Sequence, residues 1–236
     1  MNPLNTLCPQ IDEEVKKSLI DPSGKSKPIT DGIVDIELYT KACPKILWIL
    51  KEPYDTEEDG VPAGGGWSLT QDVIGRWDFH LRIKRTQSTW HPIIYICYGL
   101  LNGFLPFEAM DKITDNPEMV KILRNIAVIN VKKLPGLTRT HDFGAISEAY
   151  SKHKGILLRQ LSVYNPDVII GASTLPLFYD DLGIDRKGIQ TLGCVNSIVK
   201  NKKIYIDAYH PAQLKVQRNQ YVNDIITVVK SVLFSK

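Results

Sequence analysis

Four short apolar runs alternate with amphipathic helical patterns along the chain. The runs, with their terminal turns, cover residues 45–50, 126–130, 168–173 and 203–211. The helical patterns cover residues 11–20, 33–42, 93–101, 145–164 and 221–234. Short strands that alternate with helices predict βαβ units with parallel pairing and right-handed crossovers. We therefore expect an α/β fold in which a central four-stranded parallel sheet has helices on both faces.

Two long segments lie outside this alternation. Residues 1–44 show no shift in composition, so we expect a single domain, 1–236, with 1–44 as an N-terminal helical extension packed on it. Residues 55–88 carry no regular pattern and are expected to form a long irregular loop, of the kind that is usually functional or mobile. The basic run at 200–203 is expected to be a charged turn before the last strand.

A polar or small residue follows each predicted strand: Glu52, Asn130, Ser173 and His210. In an open α/β sheet the carboxyl ends of parallel strands lie along one edge, and ligands bind there. Glu52 is followed by a proline, which stops the strand, and by Tyr54, which supplies an aromatic wall. The sequence therefore predicts one site to which all four strand ends contribute.

Composition and charge leave a broad range of functions open. The formal net charge of +3 and the pI of about 8.5 are compatible with nucleic-acid binding but do not require it. The four cysteines are far apart and lack the spacing of zinc or iron–sulfur ligands, so we expect no metal site and no cofactor. The glycine run 64–66 is not followed by the lysine of a P-loop, which argues against an NTPase.

The sequence also predicts a location. Its N-terminus lacks the basic-then-apolar pattern of a signal peptide, and no apolar run reaches transmembrane length. Scattered free thiols suit a reducing compartment. We therefore expect a cytoplasmic, monomeric protein that does not associate with membranes.

Four short motifs resemble those of the uracil-DNA glycosylases. Residues 50–54, Leu-Lys-Glu-Pro-Tyr, are similar to that family's Gly-Gln-Asp-Pro-Tyr, and 65–69, Gly-Gly-Trp-Ser-Leu, are similar to its next segment. The strand 126–130 ends in asparagine, as the family's does. Residues 210–214, His-Pro-Ala-Gln-Leu, with Arg218 four residues on, resemble the closing motif His-Pro-Ser-Pro-Leu. Because the motifs keep the family's order between positions 45 and 218, the chain resembles a divergent member of that superfamily.

The resemblance implies a glycosylase-like α/β/α fold, DNA as the partner, and a monofunctional glycosylase that leaves an abasic site. Hydrolysis of an N-glycosidic bond builds positive charge on the sugar and negative charge on the departing base. Glu52 would stabilise the sugar and orient the water, and His210 would hydrogen-bond the base.

The resemblance also implies a base pocket and a DNA-binding surface. The pocket residues are Leu50, Lys51, Tyr54, Trp67 and Asn130. The DNA-binding residues are Ser173, Leu214, Lys215, Arg218, Arg82 and Arg85, with Lys84, Lys132 and Lys133 as further basic residues at the mouth. Trp67 would stack on the base, and Leu214 would fill the gap that a flipped nucleotide leaves in the duplex.

The pocket departs from the family at several positions. Glu52 replaces the usual aspartate, Leu50 and Lys51 replace glycine and glutamine, and Asp55 stands where the family has histidine. The expected substrate is therefore either uracil or a modified pyrimidine such as those in phage DNA. A phage base would make the protein an antiviral defence factor, whereas uracil would make it a DNA-repair enzyme.

Other interpretations remain open. A relative that binds nucleic acid without catalysis would show such altered motifs, and a nucleoside hydrolase of another α/β class would act on free nucleosides. Taken singly, Glu52 suits a surface carboxylate, His210 a turn histidine and Trp67 a core aromatic. Asp207 lies inside a strand, needs a partner there and is a secondary site candidate, as is His141.

Overall fold

The computed structural model describes residues 2–76, 87–137 and 143–234. Its α-helices in these ranges are α1 (Leu4–Ser18), α2 (Ile36–Lys41), α3 (Gln87–Leu101), α4 (Phe143–Tyr164) and α5 (Arg218–Phe234). Its strands are β1 (Ser26–Lys27), β2 (Gly32–Ile33), β3 (Ile46–Leu50), β4 (Thr56–Glu58), β5 (Val61–Gly65), β6 (Ala127–Asn130), β7 (Val168–Ala172), β8 (Gln190–Leu192), β9 (Val195–Lys200) and β10 (Lys203–Ala208). The α/β class expected from the sequence is confirmed.

The main sheet has seven strands in the order β2-β6-β3-β7-β10-β9-β8. Its centre, β6-β3-β7-β10, is parallel and consists of the four strands that the apolar runs predict. The expectation of a four-stranded parallel sheet is nevertheless wrong, because β2, β9 and β8 add antiparallel pairs at the two sides. These strands carry no continuous apolar run: β2 has two residues, and all three residues of β8 are exposed.

Helices pack on both faces of the central strands. On one face, Trp48 belongs to a buried cluster with Ile93 of α3 and Ile225 of α5. On the other, Ile49 belongs to a cluster with residues of α1 and α4. All five residues of β3 are buried, which explains why its sequence is apolar throughout instead of alternating. No helix in the described ranges combines the length and the apolar character needed to cross a membrane.

Residues 1–44 contain strands as well as helices, which corrects the expectation of a purely helical extension. β2 pairs antiparallel with β6 in the main sheet, and β1 joins β5 and β4 in a separate three-stranded sheet. The helix predicted from residue 33 begins only at Ile36. Its N-cap is Asp35, whose carboxylate accepts the Leu38 N–H at 3.1 Å and so fixes the first turn.

Much of the segment 55–88 is regular, so the expectation of an irregular loop is wrong for its described part. It contains the β4–β5 hairpin and a π-helical turn, Leu69–Ile74. At the end of β5, Gly64, Gly65 and Gly66 have left-handed conformation, with φ of 86°, 84° and 81°. A Cβ on Gly65 would overlap the Lys27 carbonyl oxygen, so glycine permits the close pairing of β5 with β1.

Candidate active site

The carboxyl ends of β3, β7 and β10 are tied together by hydrogen bonds just beyond the strands. Thr174 Oγ1 donates to the Ile49 carbonyl oxygen at 2.7 Å. The Ser173 N–H donates to the Ala208 carbonyl at 2.7 Å, and Ser173 Oγ accepts the His210 N–H at 3.1 Å. Ser173 has a left-handed φ of 61°, which costs a serine about 1–2 kcal/mol and forms a sharp turn. Hydrogen bonds therefore connect the three strand ends, and Ser173 fixes the backbone of His210.

His210 is held as a neutral ring. The Ala212 N–H donates to its Nδ1 at 3.2 Å, which leaves the ring proton on Nε2. Burial lowers the pKa of His210 to about 4, and the nearby positive charge of Lys51 contributes to the decrease. At neutral pH the ring is therefore a hydrogen-bond donor through Nε2 and carries no charge.

Lys51 is close enough to His210 for its positive charge to help lower the pKa of that ring. Its ammonium also lies 5.9 Å from the centroid of the Phe143 ring, a cation–π contact at the start of α4. The structure therefore brings together Lys51, which follows β3, and His210, which follows β10. Leu50, the neighbouring predicted pocket residue, is only 6% exposed and belongs to the core below.

Glu52 forms an ion pair with a residue from the neighbouring strand end. Lys132 Nζ lies 2.8 Å from Glu52 Oε2 and 3.2 Å from the Pro135 carbonyl oxygen. The Glu52 side chain is 9% exposed and that of Lys132 is 23% exposed. Glu52 is thus not an isolated surface carboxylate.

Asn130 ends β6 as predicted, but it is only 2% exposed. The Asp31 carboxylate accepts its backbone N–H at 2.7 Å and lies 3.5 Å from its side-chain nitrogen. Sequence reasoning missed Asp31, which orients this strand end. Its only sequence signal is a carboxylate inside the mostly apolar stretch 29–34.

Trp67 is partly buried and its indole N–H donates to Asp55 Oδ2 at 2.8 Å. The same oxygen accepts the Gly65 N–H at 2.6 Å. Asp55, which departs from the family pattern, therefore holds the tryptophan segment against the segment that follows β3. Tyr54, one residue earlier, is 49% exposed.

The loop after His210 presents an apolar residue to solvent. Leu214 is 99% exposed. Gln213 closes the loop beneath it, because its side chain accepts the backbone N–H groups of Lys215 and Val216 and donates to the Val216 carbonyl at 2.9 Å. The loop that carries the exposed leucine is closed by these hydrogen bonds, and sequence reasoning did not identify Gln213 as the residue that makes them.

The predicted basic residues separate into several groups. Lys215 and Arg218 are exposed near Leu214, and Lys215 Nζ lies 5.1 Å from the Tyr209 ring centroid. Lys133 is buried and bonded to Asp31, so its expected role as a phosphate contact is wrong. Other predicted residues lie outside the described ranges: Arg82, Lys84, Arg85 and His141.

Asp207 lies in β10 and is hydrogen-bonded within the sheet. Its register partner in β9 is Asn196, whose side chain also hydrogen-bonds to it, and burial raises the pKa of the Asp207 carboxyl. Asp207 also lies near Tyr179, which belongs to the cluster on the α1 and α4 face. Its expected role as a secondary site residue is therefore not supported by any contact with Glu52 or His210 in the described part of the chain.

Elsewhere, two hollows of about 550 Å³ and 310 Å³ lie beside α1 and between α2 and residues 117–125, and no predicted site residue lines either. Within residues 2–76, 87–137 and 143–234, no three His, Cys, Asp or Glu side chains are grouped as metal ligands would be. The strand-end edge is therefore the candidate site.

No protein-family model matches this chain, and no curated protein shows significant similarity to it. Its function must therefore be inferred from the residues at the strand ends.

Proposed function

We propose that this protein is a monofunctional DNA glycosylase that hydrolyses the N-glycosidic bond of a flipped-out pyrimidine and leaves an abasic site. One observation carries the proposal. A neutral histidine whose ring proton is on Nε2, His210, and an ion-paired carboxylate, Glu52, follow strands β10 and β3 at the same edge, where β7 lies between those two strands. Two strand spacings separate the backbones of β3 and β10 by about 10 Å, which is comparable with the size of a nucleoside.

His210 has the protonation state that the departing base needs. The base leaves with the electron pair of the glycosidic bond, so negative charge develops on its carbonyl oxygen. A neutral Nε2–H donates a hydrogen bond to that oxygen, and a pKa near 4 keeps the ring in this form across the neutral range. Such a donor typically contributes a factor of about 10²–10³ in rate.

Glu52 supplies the complementary charge. As the bond breaks, C1′ and the ring oxygen of the sugar become positive, and a carboxylate beside them lowers the energy of that state. A water oxygen then bonds to C1′, and the water gives one proton to the carboxylate or to the departing base. The ion pair with Lys132 holds Glu52 in one orientation before the substrate arrives.

The residues around this pair suit a nucleotide extruded from a duplex. Leu214, almost fully exposed on a loop closed by Gln213, would enter the base stack as the nucleotide leaves it. Trp67 and Tyr54 would supply aromatic surface for the base. Lys215 and Arg218 would contact phosphates, so binding would weaken with salt.

We further propose that the excised base is uracil or a modified pyrimidine of phage DNA. Lys51 offers only hydrogen-bond donors, whereas the glutamine of the resembling family offers a donor and an acceptor. A pocket altered in this way suits a base with acceptor groups facing Lys51. Excision of a phage base would make the protein an antiviral factor, and excision of uracil a repair enzyme.

A panel of end-labelled oligonucleotides tests the proposal. Each duplex and single strand carries one candidate base, and hot alkali converts any abasic site into a strand break. We expect breaks at one base or a few. We expect E52Q and H210A each to lower the single-turnover rate by about 10²–10⁴-fold.

Three outcomes would contradict the proposal. Cleavage that survives both E52Q and H210A shows that Glu52 and His210 do not have the catalytic roles proposed for them. Turnover of free nucleosides, with DNA left intact, identifies a nucleoside hydrolase. Salt-sensitive DNA binding with no abasic sites across the whole panel identifies a binding protein that has lost catalysis.

A further inference from the structure

Lys132 is built into the site differently from the other basic residues near it. Lys215 and Arg218 are exposed on the loop and at the start of α5. The ammonium of Lys132, by contrast, donates to Glu52 Oε2 at 2.8 Å and to the Pro135 carbonyl at 3.2 Å. Two of its three N–H groups are therefore engaged inside the protein.

The backbone holds the two segments in register beyond their strands. The Lys132 N–H donates to the Lys51 carbonyl at 2.9 Å, and the Gly136 N–H donates to the Pro53 carbonyl at 2.8 Å. Parallel pairing thus continues past β3 and β6 and brings residue 132 beside residue 52. The position of the lysine depends on main-chain bonds as well as on the ion pair itself.

Gly136 shapes the other side of Glu52. A Cβ at residue 136 would overlap Cδ and Oε2 of Glu52, so the glutamate side chain lies directly across the glycine backbone. The carboxylate is therefore confined between the Lys132 ammonium and the main chain at residue 136. Glutamate, which is one methylene longer than aspartate, is given a defined conformation by this arrangement.

We propose that Lys132 is a positioning residue for Glu52 and is not a phosphate contact. The inference depends on the proposed function, because it assigns Lys132 to the same hydrolysis. Its ammonium orients the carboxylate toward the sugar, so its loss slows the reaction without weakening DNA binding. A lysine that served only to bind phosphate would not need these two hydrogen bonds inside the protein.

The test separates rate from affinity. Single-turnover rates at saturating enzyme, and dissociation constants over a range of salt, are measured for wild type, K132M and K132R with the best oligonucleotide of the panel. We expect K132M to lose about 10²-fold in rate, as misplacement of a catalytic group by about 1 Å does, with unchanged affinity and salt slope. We expect K132R to recover most of the rate, because arginine keeps the positive charge and can donate to both Glu52 and the Pro135 carbonyl.

K215M is the matched contrast, since Lys215 is an exposed lysine near the same edge. It is measured for DNA affinity alone and should lower the slope of log K against log salt by about one. If K132M does not fold, as judged by thermal unfolding, K132Q retains a donor to the Pro135 carbonyl and takes its place.

The outcomes distinguish this inference from the function on which it depends. A K132M enzyme that keeps its rate and loses about one unit of salt slope overturns the positioning role but leaves the glycosylase intact. Equal loss of rate in K132M and K132R also overturns the positioning role. The positive charge and hydrogen-bond donors of arginine would then not be enough to orient Glu52. A wild-type protein that releases no base overturns both.

Discussion

The ammonium of Lys133 lies 2.6 Å from Asp31 Oδ1, and neither side chain is more than 1% exposed. Gln160 of α4 completes the pair, since its side chain accepts from Lys133 at 2.9 Å and donates to Asp31 at 3.0 Å. The other oxygen of Asp31 accepts the Asn130 N–H. A buried ionic network thus lies directly behind the strand end that leads to Lys132.

Breaking this buried pair should destabilise the protein severely. In K133M the Asp31 carboxylate remains buried without its cation, so we expect the free energy of unfolding to fall by about 3–5 kcal/mol. Urea denaturation followed by circular dichroism measures it. K152M is the control, because Lys152 pairs with Glu148 while both side chains are more than 60% exposed, and a loss of at most about 1 kcal/mol is expected there. An equal loss of unfolding free energy in K133M and K152M would show that the buried pair is no more important for stability than the exposed one.

Alanine at position 136 should disturb the site more than the fold. Its methyl group would occupy the space of the Glu52 carboxylate, so the glutamate must rotate away from Lys132. We expect G136A to lose about 10²-fold in single-turnover rate and to be destabilised by about 1–3 kcal/mol. G188A is the control, since a Cβ at Gly188 would meet no atom within 4 Å. A fully active G136A enzyme would show that this conformation of Glu52 is not required.

Asp12 of α1 should make stability depend on pH. Burial, and secondarily the negative charge of Asp31, raise the pKa of Asp12 from 3.8 to about 6. A carboxyl with a raised folded-state pKa favours the folded protein when protonated, so its contribution is complete below pH 4 and is lost as the pH rises through 6. Because the side chain is partly exposed, we expect about 1 kcal/mol.

The D12N variant tests this directly. Thermal unfolding at intervals between pH 4 and 7 should show a smaller change for D12N than for wild type, and D12N should be the more stable at pH 7. Parallel curves for the two proteins over this window would exclude Asp12 as the titrating group.

Shortening Leu214 should affect duplex DNA alone. Because the side chain is almost fully exposed, L214A should change the free energy of unfolding by less than about 0.5 kcal/mol. Its loss should slow base release from duplex DNA, where the nucleotide must be flipped, and leave single-stranded DNA unaffected. I20A, at an exposed position remote from the strand ends, is the control. An equal effect on both forms of DNA would rule out a wedge.

The sequence by itself determined the four central strands and most of the helices. A strand buried on both faces must be apolar throughout, and a helix that packs on one face of a sheet must be apolar on the side toward the sheet, so both leave a local signal. The same signal located Glu52, Asn130, Ser173 and His210, because residues at parallel strand ends share one edge whatever the loops do. The outer strands β2 and β8 left no such signal, since β2 has two residues and β8 is exposed. In β9, polar residues interrupt the apolar ones.

Only the tertiary structure decided what those residues contact. Lys132 and Lys133 are adjacent in sequence and alike in charge, yet one pairs with Glu52 at the rim and the other with Asp31 in the interior. Their different roles arise from partners 80 and 102 residues away. The pairing of distant segments, the neutral state of His210 and the exposure of Leu214 all depend on such long-range contacts, which no local pattern encodes.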